Sequence, residues 1–388
     1  MRIAFLSYKP HLDRIYSEIS AASRVEKVFL LSRFRGLRYE HLPKKIEIIP
    51  ITVKTFGVRL IMNEILKRDF YSPNYVPGLK DIFTTCKAAH IILFDYLHWY
   101  TLQALAFARV NTGVRIYIWS ETKEWPRNLF SRLVSKSFFI LARRNFSHLA
   151  QVFTYTEEGK QWWRKNAPGV AVEVLPAPVE VNLFTPAEKR QWLPNGTLRI
   201  LMNARYSAYK RHEDLLQAAV SLRNQGVKFH ITLVGRADAG RKKIEQLVEQ
   251  YDLTPMVTFL DPLPMNEMPA LYHRHDVLVL ASYNEAIGMV VPEAMACGIP
   301  TITSDTVGAN VYVVPHETGL VFETGNVTAL ATAIATYSDT PALCQEHGRA
   351  ATRRIQENFT VEKITRQLLS LLGMTSDNSL GVAVAKKI

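Results

Sequence analysis

The sequence predicts an α/β protein of two Rossmann-like, doubly wound domains facing a central cleft. Three observations predict it. Short apolar runs alternate with longer helical patterns, as in βαβ units and parallel sheets. The runs fall into two sets on either side of a proline-rich join. A chain of 388 residues is also longer than one core usually organises.

The first set comprises "RIAFLS", "KVFLLS", "EIIPIT", "HIILFD", "RIYIWS" and "QVFTYT". Helical patterns lie between several of them, such as Leu102 to Val110 and Leu129 to Phe146. The join, "VLPAPVEVNLFTPAEKRQWLPNG", has repeated prolines, a closing Asn-Gly and no period, so it reads as a crossing between domains, with its boundary near Pro186 to Gly196. The second set is "LRILMNA", "FHITLVG", "VTFLD", "VLVLAS", "PTITSD" and "GLVFE". Helices such as Glu213 to Asn224 and Lys242 to Tyr251 separate these. Closing helices are expected from about Ala342 to Phe359 and from Val361 to Leu372. The expected division is 1–188 with a helix returning at about 360–373, then 189–359, then a mobile tail over 374–388.

Composition excludes several classes. Hydrophobic residues make up 48% and charged residues 21%, as in a globular chain rather than a disordered one. No apolar run is long enough for a transmembrane helix, and the first residues enter a strand without a signal-like segment. Cys86, Cys297 and Cys344 are too scattered for a disulfide framework or a zinc site, so a cytoplasmic location is expected. The net charge of +12 is concentrated in residues 1–150, which hold about 24 Lys/Arg against about 11 Asp/Glu. Either an anionic partner or a solubilising surface accounts for that excess. No nucleic-acid motif accompanies it.

Two constellations carry chemistry. In "LRILMNARYSAYKRHEDLLQA" a strand ends near Ala204, Arg205 follows, and Lys210 stands where a helix begins. A guanidinium fork and a compact ammonium together can clamp a diphosphate and stabilise it as a leaving group. Arg211 and His212 could share or replace the role of Lys210. In "VLVLASYNEAIGMVVPEAMACGIPTITSD" a buried strand leads into a glycine-containing loop and a short helix with Pro292 at its first position. Glu285 in the loop would reach sugar hydroxyls, and Glu293 a ribose diol. The amides of Gly288, Met289 and Val290 would point at a phosphate or the sugar. Taken singly, each of these residues has a plain alternative as a solvated charge or a helix-dipole partner.

"NEAIGMVVPEAMACGIPTITSD" resembles the E-x7-E motif of glycosyltransferase family 4, and "NARYSAYKRHEDLLQA" resembles that family's Arg-to-Lys stretch. "VEVLPAPVEVNLFTP" and "GRAATRRIQENFTVEKITRQLL" are similar to its interdomain segment and closing helices, so the likeness spans roughly residues 150 to 372. The resemblance implies the GT-B fold, with the last helix crossing back to the first domain. It also implies a metal-independent, anomer-retaining transfer of a hexose-type sugar from a nucleotide-diphosphate sugar, uridine diphosphate favoured over guanosine diphosphate. No metal or other cofactor is then expected, and the sequence contains no Asp-x-Asp. By resemblance Arg205 and Lys210 would contact the diphosphate, Glu285 the transferred sugar, and Glu293 the ribose. Gly235 would lie near the donor, and Val257 to Asp261 would read the base. Retention without a nucleophile implies attack from the face the nucleotide leaves, a diphosphate oxygen taking the acceptor's proton.

The first domain departs from the family pattern. "SYKPHLDR" lacks the usual glycine pair, and "IYIWSETKEW" offers Ser120 and Glu121 where a histidine is common. Acceptor-side candidates at first-domain strand ends are His11, Asp13, Asp95, His98 and Glu121. Residues 125–149 hold five Arg/Lys and no acid, with Phe130, Leu133, Val134, Phe138 and Leu141 at helical spacing. That segment either buries its apolar side against the first sheet or lies on an anionic membrane at its cytoplasmic face. The acceptor would be a glycan, such as a lipid-linked or lipopolysaccharide-type one. A non-catalytic sugar-nucleotide binder and an epimerase or phosphorylase-like enzyme share the architecture and remain alternatives.

Overall fold

Val277–Leu280 is apolar at every position, and a strand of that kind must be covered on both faces. All four residues are buried, and neighbouring runs behave likewise. The computed structural model describes residues 1–6, 13–32, 43–52, 54–55, 74–125, 129–306 and 308–374. In it the chain forms two compact units, Met1–Ala177 with Val361–Ile388, and Pro178–Thr360.

The first unit is built on β1 (Arg2–Leu6), β2 (Lys27–Ser32), β3 (Ile46–Pro50), β6 (His90–Phe94), β7 (Arg115–Ser120), β8 (Leu149–Thr154) and β9 (Val172–Val174), while β4 (Lys54–Thr55) and β5 (Asn74–Tyr75) pair apart from them. The seven strands are parallel in the order β3-β2-β1-β6-β7-β8-β9. Helix Val361–Leu371 packs against helix Asp13–Ala21, and Gln367 donates to the Val174 carbonyl at 3.2 Å. The last helix thus completes the first unit's fold.

The second unit contains β10 (Leu198–Asn203), β11 (Phe229–Val234), β12 (Val257–Leu260), β13 (Val277–Leu280), β14 (Thr301–Ser304) and β15 (Gly319–Phe322). They too are all parallel, in the order β12-β11-β10-β13-β14-β15. Each sheet therefore runs outward in both directions from its first strand. The chain's direction of winding reverses between β1 and β6 in one unit and between β10 and β13 in the other. Loops leaving the carboxyl ends of such a strand pair diverge and leave a crevice where ligands bind.

Each apolar run read from the sequence forms a strand, and β9 joins them at the edge of the first sheet. The division at Ala177–Pro178 comes earlier than Pro186. Val179 N–H bonds to the Phe359 carbonyl at 2.8 Å, and Val179 and Phe184 are buried in the second unit's core, which draws the start of the join into that unit. Met374 is buried and its N–H bonds to the Leu369 carbonyl; the rest of the expected tail, 375–388, lies outside the described residues. Helix Leu129–Arg143 buries Phe138, Phe139 and Ala142, whereas Leu133 and Leu141 of the expected apolar side are exposed. The Phe130 side chain lies outside the described residues. Among the described residues no helix is long and apolar enough to cross a membrane.

Candidate active site

The crevice between β10 and β13 is built by two loops. After β10 the chain runs through Arg205 into a single 3-10 turn at Ala208–Lys210. Arg211 then adopts a left-handed φ of 54° before helix His212–Asn224. This turn withdraws Lys210 from solvent, leaving its side chain 11% exposed. After β13 the chain runs from Ala281 to Met289 and then into helix Val290–Ala296. Tyr283 N–H donates to the Tyr209 carbonyl at 2.7 Å, tying the two loops together. On the other side Gly308 N–H donates to the Glu285 carbonyl at 2.8 Å, and Ser304 Oγ to the Ser282 carbonyl at 2.5 Å.

Lys210 Nζ and Glu285 Oε2 form an ion pair across the crevice. Ser282 Oγ reaches the same carboxylate oxygen at 3.5 Å. Both charges are mostly shielded from water, which strengthens their attraction relative to a surface pair. The ammonium also lies 5.4 Å from the Tyr209 ring centre. Arg205 is exposed, and its Nη2 donates to the Tyr209 hydroxyl at 2.7 Å. The neighbouring cations point elsewhere. Arg211 Nε bonds Asp214 at 2.5 Å. His212 is buried, its ring 4.8 Å from that of Tyr206, and burial pushes its pKa down to about 4. A neutral imidazole there cannot take over the role of Lys210.

Glu293 lies in the first turn of its helix and accepts from the Tyr272 hydroxyl at 2.8 Å. Desolvation raises its carboxyl to about 7, against the smaller lowering by the tyrosine hydrogen bond. The same burial, with the nearby carboxyl, holds the Tyr272 phenol well above its ordinary value. A carboxylate kept in so poor an environment for charge is a mark of a functional position. A raised carboxyl pKa favours the protonated native state. Its stabilising effect is therefore complete below about pH 4.5 and is lost as pH rises through about 7. Glu293→Gln keeps an acceptor for Tyr272 without the charge, so it should stabilise the protein by on the order of 2 kcal/mol at pH 8. The gain should vanish by about pH 4.5. Thermal unfolding of both proteins at the two pH values reads this, and an equal difference at both would reject the role given to burial.

Gly288 has a φ of +65°, and a Cβ there would meet Ala309 Cβ at 3.0 Å and Glu285 Cγ at 3.1 Å. Only glycine lets the loop turn this close to the carboxylate. Among the described residues the N–H groups of Gly288, Met289 and Val290 find no hydrogen-bond partner. The helix begins at Val290, so Pro292 is its third residue and not its first. Val291 N–H already bonds the Gly288 carbonyl at 2.9 Å, which starts the helical turn earlier, and proline's missing N–H falls where none is needed.

Gly235 is explained by packing. Its N–H bonds the Leu260 carbonyl at 3.1 Å, and a Cβ would meet the Ala204 carbonyl oxygen at 2.6 Å. That amide therefore has no free N–H for a ligand. Val257 to Asp261 forms the edge strand and its end, where Asp261 pairs with Arg241 at 2.8 Å. In the first unit Asp95 follows β6 with a left-handed φ of 65°, a strained conformation for a residue other than glycine. Its Oδ1 accepts from Tyr96 N–H at 2.7 Å and Thr122 Oγ1 at 3.3 Å. His98 occupies the N-cap position of the next helix, its ring centre 4.5 Å from that of Tyr100, and Glu121 follows β7. His11 and the Asp13 side chain lie outside the described residues. The sequence reading missed Tyr272 and Tyr209, which hold Glu293 and Arg205. Tyr209 sits beside Lys210 in the chain, whereas nothing in the local pattern around Tyr272 marks it.

Residues 185–354 match the family model of glycosyl transferases, group 1. The chain is 28% identical to a D-inositol 3-phosphate glycosyltransferase of Pseudarthrobacter chlorophenolicus, over 48% of this chain and 46% of that one. It thus spans about half the length of the curated relatives it matches. Among solved structures, the sucrose-phosphate synthase of Thermosynechococcus elongatus has a TM-score of 0.74 at 21% identity, over 96% of this chain and 98% of that one. The Anabaena protein HepE, solved in complex with UDP, also has a TM-score of 0.74, at 16% identity over 97% and 100% of the two chains. The second unit matches the group 1 glycosyl transferases along nearly its whole length, and both units have the fold of solved GT-B glycosyltransferases.

Proposed function

We propose that the protein is a retaining, family 4-type glycosyltransferase that moves a hexose-type sugar from a nucleotide-diphosphate sugar to a glycan or lipid-linked acceptor. One observation carries the reading. The second sheet's switch point brings a shielded lysine and a carboxylate together, beside the N–H groups of Gly288, Met289 and Val290, which find no partner among the described residues. A sugar diphosphate needs that combination of cation, acid and N–H donors. HepE was solved with UDP and with UDP-glucose, which supports a uridine donor here.

In this reading the Lys210–Glu285 pair is the resting arrangement. When the donor enters, the ammonium turns to the diphosphate and Glu285 accepts from hydroxyls of the sugar. Lys210 and Arg205 then stabilise the charge that grows on the leaving nucleotide, the task a metal ion performs in other transferases. Glu293 holds the ribose diol, and the amides of Gly288 and Met289 face the sugar or its phosphate. Attack occurs from the side the nucleotide leaves, with a diphosphate oxygen accepting the acceptor's proton.

A thermal-shift series with UDP, GDP, ADP and UDP-glucose tests donor class. Uridine nucleotides at 100 times Kd should add about 2.7 kcal/mol, raising Tm by roughly 5–10 °C. Guanosine and adenosine nucleotides should shift it far less. No shift with any nucleotide diphosphate would remove the basis of the proposal.

A further inference from the structure

Helix Leu129–Arg143 has two apolar sides where an ordinary surface helix has one. The inner side is used: Phe139 meets the rings of Tyr96, Trp125 and Trp163. The outer side carries Leu129, Leu133 and Ile140, which are 70%, 56% and 59% exposed, with Leu141 at 39%. Spacings of four and seven residues place Leu129, Leu133 and Ile140 along one line of the helix. Of the large hydrophobic residues exposed on the described surface, more lie on this helix than on any other element. Exposed apolar side chains scattered singly need no explanation, whereas a contiguous line of them does.

Cations border this line. Lys136 and Arg143 lie along one side of it and Arg144 beside its end, all exposed. The helix sequence contains no acidic residue. A protein partner of ordinary composition would leave these cations facing apolar or mixed surface. An anionic bilayer satisfies both features, taking leucine and isoleucine into the acyl boundary while lysine and arginine stay at the headgroups. The Lys/Arg excess of residues 1–150, about 24 against about 11 acids, adds attraction of the same sign over a longer range.

We infer that the outer face of helix Leu129–Arg143 is a docking surface for an anionic membrane, laid flat in the headgroup region. This surface stands independently of the transferase reading, because none of its residues belongs to the β10–β13 crevice. A protein held there works on acceptors anchored in the same plane.

Vesicle flotation tests it without donor or acceptor, using phosphatidylcholine alone and phosphatidylcholine with phosphatidylglycerol. The full chain should float with the anionic vesicles at least about five-fold more than with the neutral ones at low salt, and 0.5 M salt should remove most of the difference. Leu133→Glu/Ile140→Glu, with an unchanged melting temperature and unchanged hydrolysis of a soluble donor, should lose flotation. Lys136→Gln/Arg143→Gln/Arg144→Gln should lose the preference for anionic lipid. Equal recovery from both vesicle types overturns the inference, as does flotation of the Leu133/Ile140 variant at the wild-type level. Sedimentation showing a dimer that this variant dissolves would assign the face to a second copy instead and likewise overturn it.

Discussion

Replacing Lys210 with methionine should slow sugar transfer by about 10²- to 10³-fold, the loss typical when one pre-positioned donor to a developing charge is removed. The methionine keeps a similar volume without the charge, and an unchanged melting temperature separates lost chemistry from lost folding. Lys210 is shielded, held by the Ala208–Lys210 turn, and already paired with a carboxylate from the loop after β13. In the proposed role Lys210 shares with Arg205 the stabilisation of the departing diphosphate, so kcat should fall more than donor affinity. Glu285→Gln should produce a comparable loss by weakening its grip on the sugar. The double variant should be little worse than either single one, because the two side chains act as a unit. Steady-state kinetics on the three variants checks this, and a change below about three-fold in either single variant would contradict the assignment.

The second large effect lies at the far end of the same two strands. Asp276 immediately precedes β13, is fully buried, and pairs with Arg199 of β10. Its carboxylate accepts from Arg199 N–H and Nε at 2.9 Å each, from Arg199 Nη2 at 2.7 Å, and from Leu193 N–H at 3.3 Å. The Asp276 N–H returns a bond of 2.8 Å to the Arg199 carbonyl. One carboxylate thus fastens β10 to β13 opposite the end where Lys210 and Glu285 meet. Asp276→Ala leaves two backbone donors and a guanidinium short of the fully buried acceptor they share. The cost should be about 3–5 kcal/mol, although Arg199 retains 26% side-chain exposure and can recover part of it by hydration. Hydrogen exchange resolves the two units separately. Amides of β10 and β13 should lose about 10²- to 10³-fold of protection while those of β1 and β6 are unchanged. Unaltered protection in β10 and β13 would show that the carboxylate does not hold the strands.

How much of this was legible in the sequence depends on the physical source of each feature. Parallel strands buried on both faces must be largely apolar, so runs such as "VLVLAS" and "FHITLVG" declared themselves. The three residues of β9 bury only Val172 and left no comparable mark. Spacing singled out Lys210 and Glu285 as candidates, and the loops after β10 and β13 bring these two side chains together. Choosing among Lys210, Arg211 and His212 was beyond spacing. That choice rests on the left-handed turn at Arg211, which sends successive side chains in different directions. Likewise the resemblance put Gly235 near the donor, and spacing gave no sign that its missing Cβ makes room for the Ala204 carbonyl and the Tyr206 ring. The outer face of Leu129–Arg143 shows the same limit, because helical spacing marks an apolar line without saying which line meets the core.

The most direct test of the account is a crystal structure of the chain with whichever nucleoside diphosphate raises its melting temperature most. The account predicts the diphosphate within hydrogen-bond reach of Lys210 Nζ and the ribose hydroxyls against the Glu293 carboxylate, with the Lys210–Glu285 contact opened. A nucleotide bound away from the carboxyl ends of β10 and β13, with that ion pair undisturbed, would contradict it.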